Sequence, residues 1–135
     1  VVDGHNQQRN LVLEDLDERV RLVAGSPKTY AMMEGIDDGC DLALFVGYHG
    51  PAGTAGILSH TWRGDAITDV TLNGERCSEA RMNAALAGSY GVGVGLLTLS
   101  IPSLARSLGR DPSYAFTTAV LPSAFLSSRA VASSR

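Results

Sequence analysis

The sequence predicts an α/β protein with an open mixed sheet and crossover helices, and three observations carry that expectation. An apolar run, Leu42-Ala43-Leu44-Phe45-Val46, is bounded by turn formers and has the length of a buried strand. Residues 92–98 form a second stretch of the same kind. Between them, residues 77–86 carry helix-opening chemistry, which completes the strand, helix, strand order of a crossover unit.

The elements follow in chain order. Val1-Val2 reads as the end of a strand and leads into a turn-rich loop. Residues 13–17 read as a short helical turn, residues 19–23 as a strand and residues 29–34 as a helix. Gly25-Ser26-Pro27 separates the last two, with proline at the helix entrance, where its missing N–H costs nothing. The 42–46 run, with no polar alternation, predicts a strand covered on both faces. Ile67-Thr68-Asp69-Val70-Thr71-Leu72 alternates and meets Asn73-Gly74, the strongest short hairpin signal, so Glu75-Arg76-Cys77 is the returning arm. In the helix that follows, Glu79, Met82, Asn83, Leu86 and Tyr90 share one face by spacing. No internal repeat is present.

Composition excludes several functions. A chain of 135 residues suits one domain, and a complete fold of this size buries roughly 65–70% of its unfolded surface. The hydrophobic fraction of 44% is that of a globular protein. A net charge of −3 and a pI near 5.5 leave no basic footprint for nucleic acid. No apolar run reaches the roughly 18 residues of a membrane span, and no basic, signal-like segment opens the chain, so a soluble cytoplasmic protein is expected. Cys40 and Cys77 stand apart, with no Cys-x-x-Cys pair, which argues against a disulfide framework and against a thiolate zinc site.

The chemistry concentrates on histidine. His49 ends the apolar run and enters a glycine-rich turn, Gly47-Tyr48-His49-Gly50-Pro51-Ala52-Gly53, followed by Ser59-His60-Thr61. Ligands of α/β sheets gather at the carboxyl ends of such strands. The third histidine, His5, also sits in a turn, Asp3-Gly4-His5-Asn6. Neutral imidazole is the commonest metal ligand, and zinc sites combine it with carboxylates from other elements. Glu79 is the carboxylate best placed to join, with Asn83 one turn later on the same face. Plainer roles stay open: His49 as an ordinary loop residue, and Glu79 as a first-turn acid stabilising the helix dipole by roughly 0.3–1 kcal/mol. Two tempting motifs fail. Gly91-Val92-Gly93-Val94-Gly95 lacks the spacing and the strand-to-helix context of a dinucleotide fingerprint. Ser59-His60 is not embedded in the Gly-x-Ser-x-Gly elbow of a serine hydrolase.

Six segments in register along residues 2–98 resemble the zinc-dependent D-aminopeptidase family of dipeptide-transport operons: Asp3-Gly4-His5, Met33-Glu34-Gly35-Ile36-Asp37-Asp38, Leu44-Phe45-Val46-Gly47-Tyr48-His49, Gly56-Ile57-Leu58-Ser59-His60-Thr61, Leu72-Asn73-Gly74-Glu75 and Ser78-Glu79-Ala80-Arg81-Met82-Asn83-Ala84. The resemblance implies an α/β fold of which residues 1–98 form a core fragment. It implies two zinc ions held by an N-terminal Asp-x-Glu pair, by a histidine after the second strand, by the Gly-Tyr-His histidine and by a helix-borne glutamate. By position the last three are His5, His49 and Glu79. His60 would be the catalytic residue beside the metals, Asn83 a substrate-binding or supporting residue, and Asp3 a supporting or turn group. The implied substrates are short peptides with an N-terminal D-amino acid, and the implied assembly is a homo-oligomer.

The sequence also departs from that pattern. It contains no Asp-x-Glu pair, because it opens at what resembles the family's second strand, and a truncated fragment is the expectation. Without the bridging acid, one weakly held metal or none is expected, and slight hydrolysis. After residue 98 the composition changes: residues 99–135 hold one acid, Asp111, against four arginines and three of the five prolines, and are rich in serine. An atypical tail, frame-shifted or disordered, is expected, the alternative being a divergent natural tail with one short helix over residues 103–108. Three readings follow: a metallo-aminopeptidase, a non-catalytic remnant keeping only assembly surfaces, and a metal-free small-molecule-binding domain.

Overall fold

Parallel pairing of two apolar strands organises the larger part of the chain. The structure is a computed structural model that describes residues 1–56, 58–100 and 116–119. It divides into two units, Val1–Cys40 and Asp41–Arg135.

In the second unit β1 (Leu42–Tyr48) is followed by β2 (Thr71–Leu72), β3 (Glu75–Arg76), α1 (Glu79–Ser89), β4 (Gly93–Ser100) and β5 (Phe116–Ala119). β1 pairs in parallel with β4, from Leu42 opposite Gly93 to Tyr48 opposite Leu99, and β5 adds antiparallel to the other side of β4. The sheet is therefore mixed and α1 belongs to the crossover between its parallel strands, as the sequence predicts. Residues 71–76 form the expected hairpin, shortened to two residues per arm, and Asn73 and Gly74 both take positive φ, 55° and 80°, as a type I′ turn requires.

α1 starts and stops where its sequence dictates. Ser78 is extended and its hydroxyl accepts from the Arg81 amide at 3.2 Å, which is an N-cap. At the other end Gly91 takes φ +75°, while its N–H reaches the Gly88 carbonyl and that of Val92 the Ala87 carbonyl. This is a Schellman stop, and its left-handed position suits glycine. The helix packs on β1 and β4 through Glu79, Ala80, Asn83 and Ala87. That face is rotated from the predicted one: Met82 and Leu86 are half-buried and Tyr90 is exposed, because the small alanines let the helix lie close to Phe45, Val92 and Val94.

β1 corrects a second expectation. Its residues alternate: Phe45 is 5% exposed, whereas Leu42, Leu44 and Val46 are 55%, 59% and 72% exposed. Only one face is covered among the described residues, the one turned to α1. Leu42 folds across the strand pair on the open face, its side chain lying where a Cβ on Gly95 would be. Most of the atypical 99–135 tail, including the helix of the alternative reading over residues 103–108, lies outside the described residues.

The first unit is built from turns. Val2 and Val23 form one parallel bridge, with the Asp3 amide donating to the Val23 carbonyl at 3.0 Å. The strand predicted over residues 19–23 shrinks to this bridge, because Asp17 accepts from the Arg19 amide and guanidinium and the Val20 amide closes on the Asp17 carbonyl. Such a local aspartate turn competes with strand pairing. The helix predicted over residues 29–34 is a single 3-10 turn, Ala31–Met33. Ala31 has φ +51°, and the Glu34 carboxylate takes the Tyr30 amide at 2.8 Å, so the segment never reaches helix-nucleating length. Residues 13–17 give another such turn, Leu13–Asp15.

Candidate metal centre

The reactive side chains gather where β1 stops. α1, in the crossover, runs back along the sheet, so its first turn lies near the carboxyl end of β1 and the chain delivers His49 and Glu79 to one place. His49 Nε2 stands 3.6 Å from Glu79 Oε2, and the two side chains are 10% and 6% exposed. That separation exceeds the 2.7–3.2 Å of a hydrogen bond. Two donors bound to one zinc at about 2.0–2.1 Å in tetrahedral geometry lie about 3.3 Å apart, so the pair is spaced like co-ligands.

Each of these atoms is held from behind. His49 Nδ1 lies 3.1 Å from the Gly50 carbonyl, which can only accept, so Nδ1 carries a proton and Nε2 is the nitrogen turned to Glu79. Glu79 Oε1 accepts the Trp62 amide at 2.6 Å, leaving Oε2 as the oxygen turned to His49. Orienting contacts of this kind are what metal-ligating imidazoles and carboxylates require. The nitrogen and oxygen donors fit zinc.

His60 completes the group. Its ring stacks on His49 with centroids 4.0 Å apart and planes 20° from parallel. Its Nδ1 donates to the Leu58 carbonyl at 2.6 Å. The Gly50 carbonyl accepts the His60 amide at 3.2 Å as well, joining the two histidines at one oxygen. A Cβ at Gly50 would stand 2.9 Å from Ser59 Oγ and 3.0 Å from Thr54 Oγ1, so a side chain here would require these hydroxyls to shift.

Asn83, one turn beyond Glu79, donates from Nδ2 to the Tyr48 hydroxyl at 2.8 Å, and the Tyr48 ring stacks on Phe45. Burial pushes the Tyr48 phenol above its usual 10.0; the Asn83 contact offsets part of this and the Glu79 charge adds to it. Tyr48 therefore remains a neutral hydroxyl at physiological pH.

Of the predicted site residues, His49, His60 and Glu79 come together in the second unit, with Asn83 on the same helix. His5 and Asp3 belong to the first. His5 precedes the Asn6–Gln8 turn, and its carbonyl accepts from the Gln8 amide and the Asn10 side chain. Asp3 is buried, and its carboxylate takes the amides of Asn10 and Leu11 and the Asn10 side chain, so it organises the 3–11 loop. Sequence reasoning missed Tyr48, Thr61 and the Trp62 amide. A signal existed for the first two, since each adjoins a singled-out histidine; a backbone N–H leaves none.

Comparison with known proteins identifies relatives of this chain. A family model for D-aminopeptidase matches residues 1–100. A D-aminopeptidase of Bacillus subtilis (strain 168) is 37% identical over 94 residues, which cover 70% of this chain and 34% of that protein. The solved structure of the Zn-dependent D-aminopeptidase DppA from Bacillus subtilis, a self-compartmentalizing protease, superposes with a TM-score of 0.65 at 36% identity, over 69% of this chain and 34% of that one. The chain thus spans about a third of the length of these relatives.

Proposed function

This chain belongs to the D-aminopeptidase family, and on that footing we propose that it carries the metal-binding and proton-transfer residues of a zinc-dependent aminopeptidase acting on short peptides with an N-terminal D-amino acid. The observation that carries the proposal is the buried His49 Nε2 to Glu79 Oε2 pair, spaced like co-ligands with each partner anchored by a backbone group. His49 and Glu79 would hold zinc, with His5 proposed as a further ligand by its place in the matching motif. A zinc ion so held would supply Lewis-acid polarisation of the scissile carbonyl. His60 would work beside the metal ligands: its Nδ1 donates to the Leu58 carbonyl, and its Nε2 would take a proton from the attacking water and return it to the leaving amine. Asn83 and Tyr48 orient groups at the same end of the sheet, as supporting or substrate-contacting residues. Asp3 supports the motif that carries His5.

The same reading includes a homo-oligomer in the cytoplasm. It is supported by the self-compartmentalizing relative and by the open apolar face of Leu42, Leu44 and Val46. No helix among the described residues is long and apolar enough to cross a membrane.

The test is zinc stoichiometry by elemental analysis combined with hydrolysis of D-alanyl peptides. His49→Ala should lower the zinc bound per chain. His60→Ala should leave zinc unchanged and remove most turnover, about 10²–10⁴-fold for a lost general acid–base. Unchanged zinc in His49→Ala would reject the metal centre. Zinc uptake with no D-peptide hydrolysis would favour the non-catalytic reading, and loss of zinc in His60→Ala would move that residue into the metal shell.

A further inference from the structure

Backbone groups of Gly50, Leu58 and Trp62, in the loop from His49 to Trp62, contact three side chains of the site. The Gly50 carbonyl holds His49 Nδ1, the Leu58 carbonyl holds His60 Nδ1, and the Trp62 amide holds Glu79 Oε1. The shape of this loop therefore sets the angles of two imidazoles and a carboxylate. The 50–52 and 60–62 limbs are joined by the bond from the His60 amide to the Gly50 carbonyl and by one side chain. Thr61 is fully buried, and its Oγ1 accepts the amide of buried Ala52 at 3.0 Å. Thr61 also stands directly between His60 and Trp62. Trp62 is held at φ +53°, a region that a bulky residue seldom enters unless its surroundings impose it.

We propose that Thr61 is a positioning residue of the metal centre. Its hydroxyl locks the returning limb onto the outgoing one, which holds Trp62 in its left-handed conformation with its amide on Glu79 Oε1 and keeps the His60 ring on His49. The metal consequence rests on the zinc-centre reading above; the effect on the loop does not. Thr61→Val keeps the shape but removes the acceptor, leaving the Ala52 N–H buried without it. Thr61→Ser restores the hydroxyl and serves as the rescue.

Two measurements on the full chain test this. The first is amide hydrogen exchange of the metal-free protein by NMR. In Thr61→Val the amides of Ala52 and Trp62 should exchange at least about tenfold faster while those of Phe45 and Asn83 keep their rates, and Thr61→Ser should return close to wild type. The second is zinc titration followed by the fluorescence of Trp62, the one tryptophan in the sequence. Thr61→Val should weaken zinc binding by about 10–100-fold, the range for groups that orient metal ligands, with recovery in Thr61→Ser. Unchanged exchange at Ala52 and Trp62 overturns the proposal. So does uniform acceleration at all four amides, which marks a contribution to overall stability only, and so does equal zinc affinity in wild type and Thr61→Val. If wild type takes up no zinc, the zinc reading fails by itself and the exchange rates alone decide the role of Thr61.

Discussion

At the scale of single residues, the centre depends on atoms that have little tolerance. Gly50 offers one carbonyl to the His49 ring and the His60 amide, and a methyl group on it would push on the Ser59 and Thr54 hydroxyls. Gly50→Ala is expected to destabilise by about 1 kcal/mol, the low end of overpacking because those hydroxyls can turn away, and to disturb zinc uptake; urea unfolding with metal analysis checks both. Asp3 makes a prediction of a different kind. Burial pushes its carboxyl up, but the hydrogen bonds from the Asn10 side chain and the Leu11 and Asn10 amides together bring it below the usual 3.8. A carboxyl whose folded value is depressed stabilises the fold above its unfolded value and loses that contribution as pH falls through the folded one. The 3–11 loop should therefore stay intact down to pH 3.8 and loosen only below it. The Asn10 and Leu11 amide resonances report this directly: a midpoint at or above 3.8 would contradict it, and Asp3→Asn should erase the transition.

At the scale of elements, α1 is the part whose energetics are simplest. Its interior Gly88 faces open space, and alanine is the better helix former, so Gly88→Ala should raise stability by about 0.5–1 kcal/mol. Ser78→Ala removes the N-cap and should cost about 1 kcal/mol. Because Ser78 adjoins Glu79, the same change should also weaken zinc binding, whereas Gly88→Ala at the far end should not. Calorimetry with and without zinc separates the two effects. The loss of the expected strand and helix in the first unit belongs to this scale as well. Asp17 and Glu34 spend their carboxylates on nearby amides, and short segments yield to such local bonds.

At the scale of the molecule, a bound ion couples site to fold. Zinc that binds only the folded chain, at a hundred times its dissociation constant, adds about 2.7 kcal/mol. For a chain of this size that is about 8 °C in Tm. A chelator is expected to lower the melting temperature of the zinc-loaded protein by about that amount and to leave Glu79→Gln nearly unmoved. Equal melting with and without chelator would argue that the His49 and Glu79 pair holds no metal.

The sequence by itself determined the order of the elements from β1 to β4, the hairpin at Asn73 and Gly74 and the start of α1 at Ser78. These rest on local chemistry: apolar runs, turn residues with positive φ and capping hydroxyls act over a few positions. The family resemblance was legible for the same reason, since six short motifs kept their spacing. Tertiary structure alone decided which face of β1 is covered, because a continuous apolar run does not say where its neighbours lie. It rotated α1 toward its alanines, since the fit of a helix on a sheet depends on side chains from three elements at once. It also decided how His49, His60 and Glu79 are aimed, through the Gly50 and Leu58 carbonyls, the Trp62 amide and the Thr61 hydroxyl. Backbone groups are the same at every residue, so only their positions in space could reveal these contacts.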